Sequence, residues 1–157
     1  MPTRIDYFDD PRALKVNSVV PSANVVVGYG DRILMIRRSD NGNWAVPGGA
    51  MDLGESIVDT AVRETLEETG IRCEVTGLVG IYTDPRHVIH CTSNDEVRQE
   101  FSVVFAARYL SGEPTPSDES RKVVWVPRDE VHGLTMDCSM RHRIDAHLRD
   151  EGLPHLG

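Results

Sequence analysis

The 157-residue chain contains no apolar run long enough to span a bilayer, for which about 20 consecutive apolar residues are needed. Its first stretch, MPTRIDYFDDPRALK, is polar and broken by two prolines, and it lacks the apolar centre of a secretory signal. A cytoplasmic protein with no membrane partner is therefore expected. Cys73, Cys91 and Cys138 are odd in number and far apart, with no CxxC and no Cys/His ligand spacing, so they read as reduced thiols rather than a disulfide framework or a zinc site. Basic residues are in deficit, 17 Lys and Arg against 25 Asp and Glu, for a formal net charge of −8. That balance argues against a nucleic-acid polymer held through its phosphates. An anionic small molecule would need a cation to help it bind. Repeats, low-complexity tracts and dividing linkers are missing as well.

What is present fits one domain. The length is close to the commonest for a single core, and 39% apolar with 27% charged residues is ordinary for a globular chain. Residues 1–21 read as an irregular N-terminal arm and residues 22–157 as the domain. SANVVVGYGDRILMIRR reads as a hairpin of strands over 23–28 and 32–37 joined by Gly-Asp. A short strand over 44–46 leads into the breaker cluster Pro47-Gly48-Gly49. Ser56 with Asp59 makes a capping pair and Gly70 a stop, so a helix is expected over 56–69. Strands over 73–82 and 100–110 follow, separated by a polar loop over 84–95, then a strand over 122–126 and a helix over 139–149. Mixed strands and helices predict an α+β or α/β fold, a sandwich built on a mixed β-sheet.

The helix poses a problem of charge. On a wheel, Val58, Ala61, Val62, Thr65 and Leu66 share one arc and Glu64, Glu67 and Glu68 fall roughly opposite. An isolated acidic helix reads as a solvated face, but like charges at these spacings repel, and the glycines just upstream bring a closely approachable backbone beside them. Carboxylate oxygens with a main-chain carbonyl suit a hard divalent cation, Mg²⁺ or Mn²⁺. Glu55 and Arg63 suggest support, since a guanidinium grips carboxylates bidentately and fixes their direction.

At these residues the chain resembles the Nudix hydrolases. Their signature is Gly, five residues, Glu, seven residues, Arg-Glu, an aliphatic, any residue, Glu-Glu, any residue, Gly, an aliphatic. It is matched by Gly49, Glu55, Arg63, Glu64, Glu67, Glu68, Gly70 and Ile71. The one departure is Thr65 at an aliphatic position, where its methyl can pack. The flanking Trp-Ala-Val-Pro-Gly-Gly entry and the Ser-Asp-Glu loop before Trp125 are also similar to the family's. The resemblance implies the Nudix-type α/β/α sandwich with a mixed sheet across nearly the whole domain. It further implies Mg²⁺-dependent hydrolysis of the pyrophosphate linkage in a nucleoside diphosphate joined to another group, such as a nucleoside triphosphate or ADP-ribose. In that scheme Glu64, Glu67 and Glu68 are metal ligands, with the Gly48 carbonyl as a backbone ligand, and Glu55 and Arg63 steer them. The base that takes the proton from water is either Glu64 or Glu119 of the loop PTPSDES, unless Glu119 is a plain solvated acid.

Substrate selection falls outside the signature. Arg86 can clamp a phosphate and His87 or Tyr82 can stack on a base, unless these are ordinary surface residues. Pro85 resembles a proline found at a similar distance in ADP-ribose hydrolysing relatives. Arg37 and Arg38 either reach phosphates or act as edge-strand charges. Glu100 is a further acid for the site. Trp44 and Trp125 pack beside the sheet or line a base slot. The stretch 140–148 either caps the sandwich or meets a second copy as a homodimer. Two other functions share this fold: a non-catalytic sensor of a nucleotide derivative, and an isoprenoid diphosphate isomerase, which would need an activated cysteine near the diphosphate.

Overall fold

The computed structural model describes residues 4–149 and 152–157. In chain order the strands are β1 (Arg4–Phe8), β2 (Ser18–Val19), β3 (Ser22–Tyr29), β4 (Arg32–Arg38), β5 (Trp44–Ala45) and β6 (Gly48–Ala50). Helix α1 (Ile57–Thr69) precedes β7 (Arg72–Tyr82), β8 (His87–Cys91), β9 (Glu96–Gln99), β10 (Ser102–Ser111) and β11 (Ser120–Pro127). A 3-10 turn (Arg128–Gly133), helix α2 (Cys138–Arg149) and β12 (His155–Leu156) complete the order. No helix among the described residues is long and apolar enough to cross a membrane.

The larger sheet runs β11-β4-β3-β10-β7-β12, with β5 added to β4 and β6 to β3. It is mixed, as expected: β3 and β10 are parallel, while β10–β7 and β11–β4 are antiparallel. The Val and Ile of β3 and β4, with Ile71 and Val104, form the fully buried centre. Both helices pack on this sheet, α2 through Met140, Arg143 and Ile144, so the C-terminal stretch caps the sandwich.

Strands β3 and β4 pair only at their hairpin end, Gly28 with Ile33 and Tyr29 with Arg32. Beyond it they part. The free edge of β3 is taken by β6, with Asn24 opposite Gly48, and that of β4 by β5, with Ile36 opposite Ala45. A cleft forms between them, since β6 and β5 are too short to close the gap.

Three segments differ from expectation. The arm read as irregular contains β1 and β2, and the polar loop over 84–95 contains β8 and the turn into β9; together they form a second sheet in the order β1-β8-β9-β2. These strands have two to five residues and partners up to 87 positions away, as in Arg4 with Cys91, so no local alternation announces them. Gly48 and Gly49, read as part of a breaker cluster, are extended in β6. On α1 the buried stripe is Thr60, Ala61, Thr65, Glu68 and Thr69, while Val58 is exposed. Glu68 thus lies on the inner face, because positions 61, 65 and 68 are i, i+4 and i+7 on one stripe. Thr65 is buried and its hydroxyl donates to the Ala61 carbonyl at 2.8 Å, so its polarity is satisfied inside the helix.

Candidate active site

Helix α1 is fixed at both ends. The Ser56 hydroxyl accepts from the Asp59 N–H at 3.0 Å and the Asp59 carboxylate accepts from the Ser56 N–H at 3.0 Å, a reciprocal capping box. Gly70 closes the other end in the left-handed region at φ 75°, which glycine enters without a Cβ penalty. The angular position of each glutamate is set by these stops.

Arg63 then gathers the acids of its own face. It donates through Nε to Glu55 at 2.6 Å and through Nη2 to Glu55 at 2.9 Å and the Ala50 carbonyl at 3.1 Å. Its Nη1 reaches Glu64 at 2.8 Å and Glu67 at 3.3 Å. That fork holds the Glu55 carboxyl down at about 2. Among the described residues Glu68 has no such partner. Its side chain is buried, accepts a long 3.4 Å bond from the Gly48 N–H and lies within hydrogen-bonding reach of the Glu119 carboxyl. Burial first, and then the negative charges of Glu119 and Glu64, push its carboxyl up to about 9. Burial also raises Glu64, with Glu67 and Glu119 adding to it and Arg63 opposing.

Gly48 and Gly49 pass within reach of these acids because neither has a side chain. A Cβ on Gly48 would run into the Ala23 carbonyl and the Asn24 side chain, and one on Gly49 would land on the Glu64 carboxyl. As they stand, no three of the acids among the described residues converge into a ligand set, since Arg63 engages Glu64 and Glu67 while Glu68 turns toward Gly48. The donor chemistry fits a hard divalent cation nonetheless: every donor is oxygen, and one buried carboxyl lacks the positive charge that would let it ionise. A cation would compete with Arg63 for Glu64 and Glu67.

The cleft holds about 590 Å³, a size suited to a small ligand. Glu68, Glu119, Gly48 and Gly49 line one end, Arg38 a side and Asn24 the floor. The wall away from α1 is the second sheet, through Arg4, Asp6, Ile89 and Arg98, with Glu100 just past the end of β9. Charge on this wall is paired along the strands: Arg4 with Asp6 at 2.6 Å and Arg98 with Glu96 at 2.7 Å, while Arg38 pairs with Asp40 at 2.5 Å. Burial raises the Asp6 carboxyl, but the His87 hydrogen bond and Arg4 outweigh it and hold it well below the usual range.

Of the residues singled out from sequence, Glu68, Glu119, Gly48 and Arg38 line the cleft, and Glu64, Glu67, Glu55 and Arg63 form the cluster beside it. Arg37 does not line the cleft and donates to the Gly42 carbonyl at 3.1 Å. Arg86 is exposed, paired with Asp84 at 2.7 Å and away from the cleft. His87 is buried in β8, with Nδ1 3.3 Å from Glu100 and Nε2 3.5 Å from Asp6, so no base can stack on it. Trp125 packs edge-on against Tyr29 and Tyr109 outside the cleft. None of Cys73, Cys91 and Cys138 lines the cleft, which removes the thiol an isomerase would need. Sequence reading missed Asn24 and Arg143, both on the cleft floor. Their signals were slight: one amide beginning an otherwise apolar strand, and one arginine on the inner face of α2.

Comparison with known proteins agrees. The NUDIX domain model matches residues 19–147. The chain is 35% identical over 143 residues to a MutT-like protein of Streptomyces ambofaciens, covering 87% of this chain and 86% of that one. It is 29% identical over 115 residues to an ADP-ribose pyrophosphatase of Methanocaldococcus jannaschii, covering 71% and 64%. The crystal structure of a MutT protein from Methanosarcina mazei superposes with a TM-score of 0.70 at 23% identity, over 90% of this chain and all (100%) of that one. It is a likeness of fold.

Proposed function

Because the chain belongs to the Nudix hydrolase family, we propose that it hydrolyses the pyrophosphate linkage of a nucleoside diphosphate joined to another group, with Mg²⁺ or Mn²⁺ bound at the acidic end of the cleft. The observation that carries this reading is Glu68: a buried carboxyl, crowded by two other acids and without a cationic partner among the described residues, at one end of a cleft of nucleotide size. When bound, the cation would neutralise the phosphates and acidify the attacking water. Glu64, Glu67, Glu68 and the Gly48 carbonyl are its proposed ligands. Arg63 aims Glu64 and Glu67, and Glu55 pins Arg63. Glu119, beside Glu68 at the same end of the cleft, or Glu64 takes the proton from water. Arg38, at the cleft side, is the residue available to the phosphates, once freed from Asp40.

The relative named an ADP-ribose pyrophosphatase makes ADP-ribose one member of the substrate panel to test. Purified protein is to be incubated with nucleoside triphosphates, ADP-ribose, dinucleoside polyphosphates and nucleotide sugars, with and without Mg²⁺, and the products identified. Turnover that requires the cation is expected; no turnover of any compound overturns the reading. The competing role is a nucleotide sensor, for which the grip of Arg63 on Glu64 and Glu67 speaks. Thermal stabilisation by a nucleotide that is never hydrolysed would favour it. A second copy of the chain is a further proposed partner, to be checked by light scattering.

A further inference from the structure

The cleft floor contains a buried polar chain that the reading above does not use. Arg143 of α2 is only 4% exposed. Its Nη2 donates to Glu100 at 3.0 Å and its Nη1 to the Asn24 Oδ1, while its Nε finds no partner among the described residues. Glu100 also takes His87 at 3.3 Å, and His87 faces Asp6 on its other side. The guanidinium of α2 thus joins Asn24 of β3 to Glu100, which lies between β9 and β10, and Glu100 links it on to His87 of β8 and Asp6 of β1. Such a cluster is costly, because a buried pair with an unsatisfied donor is often no more stable than well-packed apolar residues of the same volume. Stability alone does not account for it.

Its effect on Asn24 does. The Asn24 Oδ1 accepts both Arg143 Nη1 and the Ser102 hydroxyl, the latter at 3.0 Å. Two donors on one oxygen leave the amide no alternative orientation. The Nδ2 group, which donates no hydrogen bond to the protein among the described residues, lies against Gly48 on the cleft floor. A neutral donor is therefore held, already oriented, beside the acidic end.

We propose that Asn24 recognises the substrate, its side-chain NH₂ donating to an oxygen acceptor of the ligand bound beside Gly48, and that Arg143 is the positioning residue that keeps this amide turned into the cleft. The proposal rests on the hydrolase reading. The acceptor is either a phosphoryl oxygen or an oxygen of the nucleoside, and the test has an arm for each.

In ¹⁵N-labelled protein the Asn24 side-chain signal is identified by its loss in Asn24→Ala. One arm adds Mg²⁺ with imidodiphosphate, a non-hydrolysable pyrophosphate mimic; the other adds free nucleosides. The Asn24 pair is expected to shift in one arm, together with the Gly48 backbone amide, and the arm identifies the acceptor. Shifts at Gly48 with the Asn24 pair unmoved in both arms overturn the proposal while sparing the hydrolase reading. If no signal moves in either arm and no nucleotide is turned over, that reading falls and the proposal with it. On substrate, Asn24→Ala should lower kcat/KM about tenfold, the worth of one hydrogen bond. Arg143→Met should do the same, and the double variant should lose no more than either alone. Arg143→Lys, which keeps the charge and folds more readily, should recover part of the loss. Losses that multiply, or that track the melting temperature instead, overturn the positioning role.

Discussion

The two ends of the cleft handle charge in opposite ways. On the wall away from α1, each arginine has its own acid two residues along the chain, Arg4 with Asp6 and Arg98 with Glu96. In a strand, residues i and i+2 share a face, so these pairs neutralise themselves without help from the rest of the fold. At the α1 end, one guanidinium serves Glu55, Glu64 and Glu67, and among the described residues nothing positive reaches Glu68 or its neighbour Glu119. A protein gains nothing from an unneutralised buried carboxyl unless something else supplies the charge. The imbalance, more than the number of acids, marks where a cation belongs.

If the contrast is real, substitution at the unbalanced end should cost activity and leave stability intact. Glu68→Gln should lower kcat/KM at least about a hundredfold, as loss of a charged ligand does. Its melting temperature at pH 6 should stay close to that of the parent, because the amide resembles the protonated carboxyl. Unchanged activity would show that Glu68 is not a ligand. Gly49→Ala should follow, with a loss of roughly tenfold to a hundredfold, since the new Cβ falls on the Glu64 carboxyl and must displace it. A variant with full activity would mean that the direction of Glu64 is unimportant.

The pH dependence of folding separates the ends further. Glu68 in the fold binds its proton up to about 9, well above the ordinary carboxylate value of 4.5. Its contribution to stability is complete below pH 4.5, and it is lost as pH rises toward 9, where the buried charge must form. Without divalent cations the melting temperature should fall by about 3 °C or more between pH 6 and 9. Mg²⁺ should restore it most at the alkaline end, and Glu68→Gln should flatten the profile. A parent profile as flat as that variant's would remove the case for an uncompensated charge.

The same contrast separates what the sequence reveals from what it hides. Helix α1 is legible because its cap, its stop and its glycine entry are all local signals within residues 48–70, and they give the acid cluster at once. Even there the wheel misplaced Glu68, which sits on the inner stripe, and its burial is what makes it chemically unusual. The far wall is illegible for the converse reason. Strands β1, β2, β8 and β9 are short and mix polar with apolar residues, and Asn17 reaches Val97 across 80 positions. Their Arg-x-Asp and Glu-x-Arg pairs look the same in a loop as on a strand. His87 illustrates the cost of this: among loop residues it reads as free to meet a base, whereas a strand from the start of the chain buries it against Asp6.

The smallest effect is expected from the balanced wall, and it tests the contrast from the other side. Replacing Arg98 and Glu96 together by Gln removes a pair whose side chains retain 28% and 20% of their exposure. Partly exposed pairs of this kind contribute about 1 kcal/mol or less, and loss of both partners leaves no orphaned charge. The melting temperature should change by no more than about 4 °C. The rate on a substrate that is pyrophosphate alone should be unaltered, because the wall lies away from the acids. Replacing Arg98 alone leaves the Glu96 carboxyl, held at about 2 chiefly by that arginine and also by Ser18, without its main partner. The single variant should therefore be less stable than the double. If the two are equal, neutrality of the wall is incidental and only the acidic end of the cleft is tuned by charge.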